Sequence, residues 1–340
     1  MRYTTLGRTG LRVSELVLGA MTFGEQGGVG APMQECRRIL DAYAEAGGNM
    51  VDTAINYRGG ASEEILGELL AGRRDRFVVA TKYTVTRDSA DPNGGGNHRK
   101  NLRLSLETSL RRLRTDHVDV YWVHIWDRHT PIEETMRALD DAVTAGKVLY
   151  VGVSDTPAWV VARANTLAEW RGWSPFAGLQ VPFSLVNRDA ERELLPMADA
   201  LGLSVTAWSP LGGGVLSGKY HAGPSDERTR LSRDTISERD LGVARVVEEV
   251  AAELGVTPAQ VALAWVRQRA GVLPILGART VEQLRDNLGC TAVTLAPEAV
   301  TRLETATGFT LGFPADFIAQ TRSWVLGAGA LEPHQPRSSA

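Results

Sequence analysis

Only two cysteines, Cys36 and Cys290, occur in the 340 residues of the chain. Two cannot build a disulfide framework, and neither has a partner at metal-ligand spacing. Nowhere do about 18 apolar residues run together, which excludes a membrane-spanning helix. The opening residues, Met1-Arg2-Tyr3-Thr4-Thr5, lack the apolar stretch of a secretory leader. An excess of one charge is missing too: 37 Lys and Arg stand against 40 Asp and Glu, a formal net charge of −3. That balance argues against a general nucleic-acid binder but is compatible with a local basic cradle for a small phosphate. There is no H-E-x-x-H helix, no G-x-S-x-G nucleophile elbow and no carboxylate pair in a glycosidase setting. These absences predict a soluble, cytoplasmic protein with a small-molecule partner, no nucleic acid and no membrane span.

What is present is alternation. With 43% hydrophobic residues the chain can bury a large core, and a prior of ~100–200 residues per domain allows two domains or one large α/β barrel. Strand-like runs occur at Leu16–Gly19, Met50–Ala54, Phe77–Thr81, Val118–His124, Val148–Ser154, Gly178–Val181, Ser204–Trp208 and Val272–Leu276. Several are apolar almost throughout, as strands covered on both faces are. Between them lie helical patterns at 33–46, 62–71, 98–113, 132–145, 157–170, 190–201, 239–254 and 280–288. Pro131 and Pro157 stand near helix starts, and Gly47, Gly72, Gly146 and Gly202 follow helix ends. Eight strands alternating with eight helices predict a (β/α)8 TIM barrel in a single domain, 1–340. A doubly wound dinucleotide-binding sheet is the competitor, but Gly19-Ala20-Met21-Thr22-Phe23-Gly24 lacks the G-x-G-x-x-G spacing. Residues 1–15 read as a hairpin turning at Gly7-Arg8-Thr9-Gly10, placed to plug the barrel floor. Two segments stand outside the alternation: a long loop after the seventh strand, 212–238, in the position of a cofactor lid, and a C-terminal tail, 308–340.

In a barrel, polar residues at the C-terminal ends of strands are the ones that meet ligands. Those ends carry Asp52, with Tyr57 in the loop beyond, then Lys82, His124, Ser154-Asp155, Gln180 and Trp208-Ser209. Taken singly, each has an ordinary explanation: an aspartate caps the next helix, a lysine sits in solvent, a histidine or tryptophan packs in the core. Directed at one mouth, Asp52, Tyr57, Lys82 and His124 suit proton transfer to a carbonyl oxygen. A free tyrosine, with a pKa near ~10, is too weak an acid for the task at neutral pH. An adjacent ammonium favours the phenolate, a carboxylate keeps that ammonium charged and oriented, and a histidine can hold the substrate oxygen.

Several motifs then follow in order: Val51-Asp52-Thr53-Ala54-Ile55-Asn56-Tyr57, Ala80-Thr81-Lys82, Val123-His124-Ile125-Trp126-Asp127 and Gly146-Lys147-Val148-Leu149-Tyr150-Val151-Gly152-Val153-Ser154. Trp208-Ser209-Pro210-Leu211-Gly212-Gly213-Gly214 and the run from Gly277 through Asn287 continue the series. From about residue 3 to 307 the chain resembles the aldo-keto reductase family, in particular the branch of aryl-alcohol-dehydrogenase-like reductases and voltage-gated potassium channel β-subunits. The resemblance implies a (β/α)8 barrel binding NADPH, with Asp52, Tyr57, Lys82 and His124 as the catalytic tetrad. It implies that Ser154, Asp155 and Gln180 hold the nicotinamide carboxamide and that Trp208 stacks on its ring. Asp155 departs from the family's usual Asn: an ionised aspartate accepts hydrogen bonds but donates none. Gly19 and Met21 also fall at cofactor positions, and Ser209, Pro210, Leu211, Gly213 and Gly214 face the diphosphate. Lys219 and Arg228 are placed to clamp phosphate from above, and Gly277, Arg279, Gln283 and Asn287 to meet the adenosine 2′-phosphate at a helix start with free N–H groups.

The function so implied is NADPH-dependent reduction of an aldehyde or ketone to an alcohol, with Tyr57 as general acid. Two alternatives use the same frame: a cofactor-bound regulatory subunit like the channel β-proteins, and a sugar-tailoring ketoreductase. Met21, Phe23, Tyr57, His124 and Trp126, with Trp122 as a further candidate, form an expected apolar rim for a planar carbonyl substrate. The family includes monomers and larger rings, so a homo-oligomer is compatible with the sequence.

Overall fold

The computed structural model describes residues 1–26, 30–220 and 231–327. Eight parallel strands close into a barrel: β3 (Val17–Gly19), β4 (Met50–Asp52), β5 (Val78–Tyr83), β6 (Val118–Val123), β7 (Val148–Ser154), β8 (Phe176–Pro182), β9 (Ser204–Trp208) and β10 (Val272–Gly277). Strands β3 to β9 neighbour one another in chain order, and β10 pairs with both β9 and β3. The helices α1 (Met33–Glu45), α2 (Ala61–Leu69), α3 (Arg99–Leu113), α4 (Ile132–Thr144), α5 (Ala158–Arg171) and α6 (Leu194–Leu201) each follow one of the strands β3 to β8. This is the expected (β/α)8 barrel, with two strands at the expected bounds and the others displaced by at most two residues at an end.

Strand periodicity divides the core in two. Val79, Tyr83, Tyr121 and Val123 point outward and join the large cluster between sheet and helices. Val78, Ala80, Val120 and Trp122 alternate with them and fill the barrel's interior. Trp122 is therefore a correction to the expected substrate rim. Its indole is fully buried and lies over Gly152 and Gly178, where a Cβ on Gly178 would come within 2.9 Å of the ring. An inward direction at that height means core, because the interior of a TIM barrel is packed rather than hollow.

The N-terminal hairpin, β1 (Tyr3–Thr5) and β2 (Arg12–Ser14), closes the floor. Its Leu6 and Val13 are fully buried among Val17, Met50, Val78, Ala177 and Leu273. Gly7 locks it in place: its N–H donates to Ser204 Oγ at 2.7 Å, its φ is +55°, and a side chain there would collide with the Ala177 carbonyl.

Helices absent from the sequence reading extend the fold. Between β9 and β10 the chain forms α7 (Glu238–Leu254), as expected, and also α8 (Pro258–Arg267), capped by Thr257 and started by a proline. Seven of the ten residues of α8 are buried. After α9 (Val281–Leu288) come α10 (Pro297–Ala306), packed on α7, and two short helices, α11 (Ala315–Gln320) and α12 (Arg322–Leu326). Among the described residues no helix is long and apolar enough to cross a membrane, and no cluster of His, Cys, Asp and Glu is arranged to hold a metal ion. Both cysteines are buried and unpaired.

Candidate active site

The last inward-facing residue of β4 is Asp52, and the corresponding residue of β5 is Lys82. The Lys82 side chain is fully buried. Its Nζ donates to Asp52 Oδ2, to the Thr53 carbonyl at 2.8 Å and to the Tyr57 hydroxyl at 3.1 Å. Burial alone would drive Lys82 towards the neutral amine, but the Asp52 carboxylate and Tyr57 outweigh it and hold the lysine pKa above its ordinary value. Asp52 is fixed in turn, because Gln180 Nε2 donates to its other oxygen at 3.0 Å and lies 3.3 Å from Thr206 Oγ1.

Tyr57 reaches this pair because the chain doubles back beyond β4. Arg58 and Gly59 adopt left-handed conformations, φ 52° and 64°, and the Arg58 guanidinium ties the turn to the Met21 carbonyl at 3.1 Å. The half-buried phenol then stands over Lys82, with Nζ 4.7 Å from the ring centroid. His124, immediately after β6, meets the Tyr57 ring edge-on with centroids 5.9 Å apart. Burial, reinforced by the Lys82 charge, pushes the His124 imidazole down to about 3, so it is neutral at physiological pH. Its Nδ1 is buried with no hydrogen-bond partner. The structure thus brings together all four residues singled out at the strand ends.

Around them lies a second group. Ser154, at the end of β7, is buried and its hydroxyl has no partner. Asp155 follows in the left-handed region, φ 43°, a conformation that aspartate tolerates better than most residues. Its N–H donates to the Gln180 carbonyl at 3.3 Å and its carbonyl accepts from Trp126 N–H at 3.4 Å. Its carboxylate accepts the Trp208 indole N–H at 3.1 Å. Beyond β9, Ser209 is also left-handed, and its Oγ accepts from Gly213 N–H at 3.0 Å. Gly213 and Gly214 have φ of 68° and 98°, and the Lys219 ammonium lies over Gly214, where a Cβ would come within 2.6 Å of it. Pro210 is buried beneath this turn and Leu211 half-buried. The stem of the 212–238 segment is clasped at Tyr220, whose hydroxyl meets the Leu231 N–H and carbonyl, while the Arg233 guanidinium donates to the Tyr220 carbonyl. Arg228, expected at the phosphates, lies outside the described residues.

A model of the aldo/keto reductase family matches residues 15–307. The chain belongs to that family. Norsolorinic acid reductase of Emericella nidulans is 40% identical over 331 residues, covering 92% of this chain and 83% of that protein. An aryl-alcohol dehydrogenase of Pestalotiopsis microspora is 39% identical over 318 residues, 91% of this chain and 82% of that protein. The aryl-alcohol dehydrogenase (NADP(+)) of Phanerodontia chrysosporium is 37% identical over 332 residues, 90% of this chain and 85% of that protein. The family and these relatives make the chain an oxidoreductase of carbonyl and alcohol groups.

The donor set of this aldo/keto reductase fits a nicotinamide cofactor. At the mouth stand an unpartnered serine hydroxyl, a partly exposed indole and a left-handed glycine turn under an ammonium. At the start of α9 one expectation needs correction. The N–H groups are not free there: Val281 N–H is taken by Glu35 at 2.6 Å and Gln283 N–H by the Thr280 cap at 3.2 Å. Arg279, expected there too, is half-buried. The other two residues expected there are engaged locally: Gln283 accepts from Arg279 N–H at 2.9 Å, and Asn287 donates to the Gly277 carbonyl at 3.3 Å. Gly277 itself is exposed, whereas Gly19 is packed against Ile275, with a Cβ meeting that side chain at 2.8 Å.

Phe23 is a further correction. It is fully buried in the main core and does not line the mouth, whereas Met21, two residues earlier, is half-buried. The residue sequence reasoning missed is Trp159, in the first turn of α5. Its indole is 61% exposed and stands edge-on to Trp126, with centroids 5.8 Å apart. The Arg128 guanidinium lies 5.5 Å from the Trp126 ring. The signal was Asp155-Thr156-Pro157-Ala158-Trp159: an aromatic just inside a helix that starts on the catalytic face.

Proposed function

We propose that this aldo/keto reductase uses NADPH to reduce a planar aromatic aldehyde or ketone. The observation that carries the reading is the buried Lys82 ammonium, bonded at once to Asp52 and to the Tyr57 hydroxyl, with a neutral histidine beside the phenol. NADPH, when bound, supplies the hydride that the carbonyl carbon receives. The Tyr57 O–H gives its proton to the carbonyl oxygen, and Lys82 stabilises the phenolate left behind. Asp52, steadied by Gln180, keeps Lys82 charged and aimed. His124, being neutral, orients the carbonyl without competing for the proton. Ser154 and Trp208 would hold the nicotinamide end, Gly213, Gly214 and Lys219 the diphosphate, and Arg279 the 2′-phosphate.

Trp126 and Trp159 support the substrate class. Two indoles at right angles with a guanidinium nearby favour a flat, electron-rich ring system over a small aliphatic aldehyde. The relatives named for norsolorinic acid and for aryl alcohols point the same way. The test is NADPH oxidation by the purified protein with aromatic aldehydes, polycyclic aromatic ketones, aliphatic aldehydes and keto-sugars. Turnover is expected to be fastest with the aromatic arms. Cofactor binding with no turnover of any carbonyl would sink the reading in favour of a regulatory subunit, and a preference for keto-sugars would sink the aromatic substrate class.

A further inference from the structure

The Asp155 carboxylate has no part in the proton transfer just described, yet it is built firmly into the mouth. Its main chain is bonded on one side to β8 through Gln180 and on the other to Trp126 beyond β6. Its side chain is fixed by the Trp208 indole. It forms no ion pair among the described residues, and the Lys82 charge that reaches it is already matched by Asp52. Within the group formed by Asp52, Lys82, His124 and Asp155, the lysine and Asp52 cancel and the histidine is neutral, which leaves the Asp155 charge without an ion-pair partner.

A reduced nicotinamide ring is neutral, and the ring left after it gives up a hydride carries a positive charge. A fixed carboxylate beside a nicotinamide bound at this mouth would interact favourably with the oxidised ring alone. We propose that Asp155 sets the redox preference of the mouth, holding NADP⁺ more tightly relative to NADPH than a neutral residue would. The half-buried setting works in the same direction. Burial lifts the Asp155 carboxyl above its usual range, against the pull of the Trp208 hydrogen bond, so the charge gains from any cation brought beside it. Bound alcohol and NADP⁺ are correspondingly favoured over bound carbonyl and NADPH, which suits an enzyme able to run as an alcohol dehydrogenase. The inference rests on the proposed use of a nicotinamide cofactor at this mouth.

Calorimetric titration of the full chain with NADP⁺ and with NADPH separates the two ideas. Asp155→Asn keeps an oxygen for the Trp208 N–H and removes only the charge. It should shift the ratio of the two dissociation constants by about tenfold in favour of NADPH, the size expected for one unit charge in a partly buried site. Asp155→Gly, which suits the left-handed backbone without strain, should shift the ratio in the same direction. Trp208→Phe keeps the charge, so both affinities should change together and the ratio stay within about twofold. A ratio in both Asp155 variants within about twofold of wild type, with both cofactors still bound, would overturn the charge argument alone. A wild-type protein that binds neither cofactor would overturn the proposed function and this inference with it.

Discussion

At its floor the barrel presents Met50, Val78 and Val120; two to four residues further along the same strands, at its mouth, stand Asp52, Lys82 and His124. The same inward direction gives an apolar plug at one end and a proton-transfer group at the other. Height along the strand decides between them. At the floor the hairpin excludes water and the side chains that fill the interior are apolar. At the mouth, charged groups are buried as deeply as Leu6 is, and they persist because each is bonded to the next: Gln180 to Asp52, Asp52 to Lys82, Lys82 to Tyr57. Stability thus resides chiefly at one end and chemistry at the other, so substitutions at the two ends should separate the two properties.

The largest effect is expected at the mouth. Tyr57→Phe should lower carbonyl reduction by roughly 10²–10⁴ while NADPH affinity stays nearly intact, and steady-state rates beside a binding titration check both halves. At the floor, Leu6→Ala should cost about 2–5 kcal/mol in urea unfolding and leave kcat unchanged at low temperature. A matching loss of kcat would mean the two ends are coupled. Arg279→Ala, at the edge of the mouth, should weaken NADPH far more than NADH, by roughly 10- to 150-fold. Equal loss for both would make Arg279 structural.

Acid titration gives a smaller effect. The His124 imidazole is pushed down to about 3 in the folded chain from an ordinary value of 6.5, so as pH falls the unfolded chain takes up the proton first. The stability associated with the neutral ring is therefore complete above about 6.5 and is lost progressively towards pH 3. His124→Asn should flatten the fall of stability across that window by up to about 1.4 kcal/mol per pH unit, measured from denaturation midpoints at several pH values. Trp159→Ala should act least, raising KM for polycyclic aromatic carbonyls by a few-fold, as loss of an aromatic contact worth about 0.5–1.5 kcal/mol would.

Asp52, Lys82 and His124 were legible because residues at strand ends in a barrel have a known direction. The partners that hold them were not. Gln180 lies 128 residues from Asp52 in sequence, and nothing local announces their bond. Phe23 misled because it lies in a loop, where alternation no longer fixes direction, and Trp122 because its direction on β6 cannot be read from the sequence. The start of α9 looked free because Glu35, which fills it, comes from α1, 246 residues away along the chain. Trp159 carried a local signal, but only the fold puts the first turn of α5 beside Trp126.

The pairing of Trp122 with Gly152 and Gly178 constrains how such a barrel can change over generations. A methyl group added at Gly152 collides with the indole, and one at Gly178 crowds it, while a smaller residue at position 122 leaves an empty space in the interior. Each single step is therefore disfavoured, although a smaller residue at 122 combined with alanine at 152 restores the filling. The two positions lie on neighbouring strands, thirty residues apart, and their fitness effects should be strongly non-additive. Lineages that alter one without the other must pass through a destabilised intermediate, so the three residues are expected to be inherited or replaced as a set.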